Sequence, residues 1–95
     1  MTLPSFEQYE AEARAEGFDE VAERRWDPGA VVEPHGHPFS VRALVVQGEL
    51  WLTQGGNERH LRAGDTFVIG RDEPHSEKYG PEGATYWAAR RHKQG

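Results

Sequence analysis

The apolar positions of this chain change their period once, near Gly17. Before it, Phe6, Tyr9 and Ala13 fall at i, i+3 and i+7, the narrow stripe of a helix with one buried face. Ser5 followed by Gln8 reads as a capping box, with Pro4 just before it. Glu7, Glu10 and Glu12 suit the start of a helix dipole, and Gly17 supplies a C′ stop. The pattern predicts a helix from about Phe6 to Glu16 that packs on the main body.

After Gly17 the apolar residues come in short runs separated by turn residues. Strands are predicted at Val21–Trp26, Ala30–Glu33, Ser40–Val46, Leu50–Thr53, Glu58–Leu61, Thr66–Ile69, from His75 onward, and at Thr85–Arg90. Asp27-Pro28-Gly29, Gln47-Gly48-Glu49, Gly55-Gly56-Asn57 and Ala63-Gly64-Asp65 supply the bends between them. Eight or so short strands at this spacing predict an all-β sandwich or closed barrel. Val41–Val46 is apolar on both faces. Val41, Ala43 and Val45 share one face, and Leu44 and Val46 need a second cover, either the helix or another copy of the chain.

Composition narrows the picture. Ninety-five residues make one domain with a modest core. The expected division is a packed helix over residues 1–17, a barrel over 18–91 and a flexible tail over 92–95. There is no cysteine, so neither disulfides nor thiolate ligands are available. The net charge of −5 is spread along the chain, which argues against nucleic acid as a partner. The one basic run, Arg90-Arg91-His92-Lys93, reads as a solvated tail. Met1–Ser5 has neither the basic nor the apolar part of a secretory signal, and no apolar run approaches the ~18 residues of a membrane span. A cytoplasmic protein is expected.

The candidate chemistry lies in three histidines. His35 and His37 are one residue apart, so on a strand they point the same way. His75 arrives after the loop Arg71–Pro74 and can close that face into a site of three nitrogens. Imidazole is the commonest protein ligand for divalent transition metals, so the spacing points to a metal inside a small barrel. His60 and His92 lie outside this arrangement, and His60 is expected to be exposed.

Two spacings resemble the motifs of the cupin family. In the first, Gly29 is followed by five residues, then His35-Gly36-His37, and the closing glycine falls at Gly48. In the second, Gly64 leads through Gly70-Arg71-Asp72 to Glu73-Pro74-His75. The resemblance spans Trp26 to about Tyr79. It implies a small double-stranded β-helix, or jelly-roll, barrel with a short N-terminal helix. Three positions depart from the family pattern. Val41 stands where the family places a glutamate ligand, Gly70-Arg71-Asp72 replaces Pro-x-Gly, and Tyr79 replaces the final Asn. What remains resembles the three-histidine variant of the family.

The resemblance implies a divalent metal (Fe, Mn, Ni or Zn) held by His35, His37 and His75. It also implies a small-molecule substrate, with dioxygenase-like or isomerase-like chemistry. The alternative is a non-catalytic ligand-binding or sensing module. By parity Glu77 and Tyr79 follow His75 and are the candidate catalytic pair, as base and hydrogen-bond donor. Glu33, Phe39, Val41, Trp51 and Trp87 are candidates for the pocket wall. Arg42 has the opposite parity to Val41 and is expected on the outer face. A homodimer is expected from the two-faced apolar strand.

Overall fold

The computed structural model describes residues 2–92. Helix α1 spans Phe6–Ala15, and the strands are β1 Glu20–Trp26, β2 Val31–His35, β3 Ser40–Gln54, β4 Asn57–Arg62, β5 Thr66–Ile69 and β6 His75–Arg91. The capping box is present: Gln8 N–H donates to the Ser5 hydroxyl at 3.1 Å and Ser5 N–H to the Gln8 side chain at 2.9 Å. The helix ends at Glu16, and Gly17 follows in a left-handed conformation with φ 96°. No helix among the described residues is long and apolar enough to cross a membrane.

All strand pairs are antiparallel, and two long strands organise them. The first half of β3 pairs with β5 and with the second half of β6, which also takes β1. The second half of β3 pairs with β4 and with the first half of β6, which also takes β2. The result is two four-stranded layers, and the eight strand segments expected from the sequence are all accounted for. Two pairs of them run together. Ser40–Val46 and Leu50–Thr53 belong to β3, and the segments at His75 and at Thr85–Arg90 belong to β6.

The joins change which residues face inward. On β3 the core positions are Val41, Ala43 and Val45, then Leu50 and Leu52. On β6 they are Tyr79, then Ala84, Tyr86 and Ala88. Odd numbers give way to even on both strands, which a regular strand forbids. The register shifts between Val45 and Gln47 and between Gly48 and Leu50 make the change.

Backbones touch at this corner. A Cβ at Gly48 would lie 2.1 Å from the Gly83 carbonyl oxygen, and one at Gly83 would lie 2.2 Å from that of Trp26. Both glycines have positive φ, 75° and 69°. Gly48, the closing glycine of the first motif, is therefore set by sterics as well as by torsion.

The inner faces enclose the main core, from Val41 and Leu50 to Phe67, Ile69 and Tyr86. A second cluster lies outside the barrel, where Tyr9 and Ala13 of α1 cover Leu44, Trp87 and Ala89, with Val46 partly buried at its edge. Phe6 meets Trp87 edge-on at 5.5 Å, and the Tyr9 hydroxyl donates to the Arg42 carbonyl at 2.9 Å. Of the two covers considered for Leu44 and Val46, the helix is the one present. Arg42 sits on this outer side, paired with Glu16 and stacked over Phe18 at 4.9 Å.

The basic run is tied down rather than solvated as far as His92. Arg90 and Arg91 are in β6, and Arg91 donates to the Glu16 carbonyl at 2.7 Å. His92 N–H donates to Asp19 at 2.8 Å and its ring lies 3.0 Å from a Glu20 oxygen. Lys93, with the rest of the expected tail, lies outside the described residues.

Gly48→Ala is expected to cost about 2–4 kcal/mol, combining the left-handed penalty with a backbone collision. Gly29→Ala, also at positive φ but with nothing within 4 Å of its Cβ, should cost only about 1–2 kcal/mol. Urea unfolding of the two variants measures the difference, and equal costs would mean the corner relaxes.

Candidate metal centre

The three histidines reach one place by different routes. His35 ends β2 and sits directly opposite His75, the first residue of β6. Between the pairs Val32–Glu77 and His35–His75 the chain takes three steps on β2 and two on β6. That extra residue brings Val32 and His35 to the same face despite opposite parity, and it leaves Glu33 outside, exposed. His37 follows in the connection to β3. The Asp72 N–H donates to the His37 carbonyl at 2.8 Å, so the loop that delivers His75 is fastened to the segment carrying the other two. Gly36 permits this, because a Cβ there would approach the Asp72 carbonyl oxygen to 3.1 Å.

Asp72 explains one departure from the family pattern. It is the one non-glycine residue with positive φ among the described residues, at 58°. It occupies the glycine position of Pro-x-Gly and adopts the left-handed conformation that Asp tolerates better than most residues. The loop is held further by Glu73, whose carboxylate accepts from Gly70 N–H at 2.8 Å and from Gln54 at 3.3 Å.

One nitrogen from each of His35, His37 and His75 lies within 4.8 Å of the others. Each Nδ1 faces a backbone carbonyl: His35 that of Glu33 at 2.9 Å, His37 that of Phe39 at 3.2 Å, His75 that of Glu73 at 3.0 Å. A carbonyl only accepts, so each Nδ1 is the donor there and Nε2 is the nitrogen left to act as a metal ligand. Burial lowers the His37 pKa, with the neighbouring imidazoles adding to the effect and the Phe39 carbonyl opposing it. This favours the neutral ring that can act as a ligand. Ligand nitrogens about 2.1 Å from a common ion stand ~3.4 Å apart in tetrahedral geometry. The donor set, three imidazoles with ligand nitrogens within 4.8 Å of one another, suits a divalent transition metal.

The histidines line a cavity of about 110 Å³. Its wall includes Phe39 and Val41, and also Arg24, Trp26, Phe67, Tyr86 and Arg90, which the sequence reading missed. His37 stacks on Phe39 with ring centres 4.2 Å apart. Trp51 and Trp87 lie elsewhere, because both strands exchange their inner and outer faces before reaching them. Trp51 stacks on exposed His60 at 4.5 Å, and Trp87 packs under α1.

Glu77 is buried at 5% exposure with one carboxylate oxygen 3.6 Å from His75 Nε2. Its other oxygen accepts a short hydrogen bond from the Tyr79 hydroxyl. Tyr79 stacks on Trp26 at 5.1 Å, and its hydroxyl is directed to Glu77. Trp26 Nε1 donates to the Tyr86 hydroxyl at 3.2 Å. Burial, then the neighbouring Tyr86 and Glu77, push the Tyr79 pKa far above the ordinary tyrosine range. Burial and Glu77 raise Tyr86 as well.

Comparison with known proteins places this geometry in context. The sequence profile of the cupin domain family matches residues 22–79. A solved structure of KdgF from Halomonas sp. superposes with a TM-score of 0.70 at 25% identity, covering 78% of this chain and 68% of that one. An RmlC-like cupin from Shewanella frigidimarina gives 0.69 at 26% identity, over 78% and 66%. An uncharacterized HTH-type transcriptional regulator of Haemophilus influenzae is 44% identical over 36 residues, which is 38% of this chain. The matched segment spans 12% of that regulator's length.

The raised tyrosines give a pH dependence with a definite sign. Above about pH 10 the unfolded chain loses tyrosine protons that the native state retains, so stability is full below that pH and falls above it. Each suppressed tyrosine contributes a slope of about 1.4 kcal/mol per pH unit. Urea unfolding from about pH 9 to about pH 11 should show this fall, and Tyr86→Phe should flatten it by about that amount. An unchanged slope in Tyr86→Phe would mean that the hydroxyl ionises freely in the native state.

Proposed function

The chain belongs to the cupin domain family, and from that premise we propose that His35, His37 and His75 hold a divalent transition metal (Fe, Mn, Ni or Zn) beside a pocket for a small organic molecule. The observation that carries the reading is the shared arrangement: each Nδ1 faces a backbone carbonyl, and one nitrogen from each ring lies within 4.8 Å of the others. Such an ion would supply Lewis acidity or redox chemistry at the cavity floor.

The protein's own side chains then divide the remaining work. Glu77, a cavity-lining carboxylate, is the base that takes a proton from the bound molecule. Tyr79 is a positioning residue: its hydroxyl fixes the Glu77 carboxylate, and its high pKa keeps it a donor throughout the working range. Phe39 and Val41 form apolar wall, and Phe39 orients His37 through both its ring and its carbonyl. A cavity of about 110 Å³ suits a small organic molecule.

A second reading, a sensing module that binds without turnover, is supported by the short match to a transcriptional regulator. The sensing module needs only a pocket, and the readings part at Glu77, which only an enzyme requires as a base.

Elemental analysis of protein purified without chelator should find close to one transition-metal ion per chain. His75→Ala should lose it, and zinc at about 100 times its dissociation constant should stabilise the metal-free wild type by about 2.7 kcal/mol. Equal metal content in wild type and variant would overturn the site. Glu77→Gln should keep the metal and abolish turnover if the chain is an enzyme.

A further inference from the structure

The cavity is lined by a cationic side chain with one buried donor left unpaired. Arg90 lies directly across from Val41 in the β3–β6 ladder, and both side chains line the cavity. Its guanidinium stacks over Phe39 at 4.9 Å, and one terminal nitrogen lies 3.6 Å from Glu20. Its Nε is buried and has no hydrogen-bond partner among the described residues. A buried donor left unpaired is uncommon in folded proteins and calls for an explanation. Arg24 lies one strand over, on β1, and also lines the cavity, with its guanidinium 5.5 Å from the Trp26 ring. Glu77 is the single carboxylate residue lining the cavity, and its oxygens face Tyr79 and His75.

Position 41 makes sense of this. Cross-strand neighbours have Cβ atoms about 4.5–5.5 Å apart, so an acidic side chain at 41 would reach Arg90. Valine leaves that space free and supplies no acceptor to the Arg90 Nε. We propose that the molecule bound in this cavity is a small carboxylate, whose anionic group pairs with Arg90 in the space beside Val41, next to the three histidines. Arg24 lines the cavity four residues along β1 from the position facing Arg90, away from Val41. A planar carboxylate suits a guanidinium edge through paired hydrogen bonds. The inference rests on the proposed metal site only for the carboxylate's second contact; the Arg90 contact stands without it.

The test uses butanoate and butanamide, which share a shape and differ in charge, titrated by NMR into metal-free and zinc-loaded protein. Wild type should bind butanoate at least about tenfold more tightly than butanamide in both forms, with the Arg90 Nε–H signal shifting on titration. Arg90→Gln should weaken butanoate ~10–100-fold and leave butanamide nearly unchanged. Val41→Glu should have the same effect by supplying the anion internally, and it serves as the independent variant if Arg90→Gln does not fold. Equal binding of the two probes by wild type would overturn the proposal, as would a folded Arg90→Gln that keeps the preference. A preference for butanoate in protein that takes up no zinc would support the carboxylate and remove the metal. Zinc uptake without the preference would do the reverse.

Discussion

The pairing of β3 with β6 is the constraint on which the rest of this molecule depends. These two strands share a ladder from Ser40–Arg91 at one end to Gln54–His75 at the other, and every other strand pairs with one of them. Each serves both layers, so each must exchange its inward and outward faces partway along. The exchange fixes the inner face at both ends at once, with Val41 and Arg90 on one layer and Leu50, Glu77 and Tyr79 on the other. The Gly48–Gly83 corner is where the two backbones come close enough to make that exchange. A side chain there would disturb the relation between the layers that faces the cavity.

The candidate site is organised by the backbone more than by other side chains. Its three Nδ1 protons are held by carbonyls within two residues of each ring. Short local bonds of this kind set ring orientation and tautomer wherever the strand ends and loop are formed. The loop is itself bound to the first motif through Asp72 and His37. Assembly of the trio therefore follows from folding and does not require an ion to gather it. Burial acts in the same direction at His37 by disfavouring the charged ring.

Much of this was legible in the chain. The helix and its cap followed from Ser5, Gln8 and the stripe Phe6, Tyr9, Ala13, because these are local signals. The strand segments and the meeting of His35, His37 and His75 followed from turn residues and glycine spacing. The misplacement of Glu33 has a physical cause. Alternation was carried along strands that contain bulges, and one extra residue reverses every later side chain. Glu33 was thereby expected beside His35, yet it faces solvent across the β2 irregularity. Trp51 and Trp87 were expected in the pocket, yet they stand on outer faces beyond the corner of β3 and β6. Arg90 was assigned to a solvated tail because four basic residues near a terminus give no local sign of their partners. Its strand pairing with Val41 is a contact between residues 49 positions apart in the chain.

The exchange of a glutamate for Val41 alters the electrostatics of the cavity beyond the loss of one ligand. Two lining arginines stand against a single lining carboxylate, Glu77. That carboxylate sits on β6, beside His75, whereas the family pattern would put a second on β3, across from Arg90. Arg90 thus places positive charge across from Val41, and Glu77 places negative charge beside His75 and Tyr79. An occupant that places an anionic group toward β3 and a proton to be removed toward Glu77 matches this gradient, and the reverse orientation opposes it at both ends. Because the walls are largely apolar and of low dielectric, charges across the cavity interact more strongly than they would in water. Selection of orientation therefore follows from where the fold has put its charges, even though most of the wall is made of aromatic and aliphatic side chains.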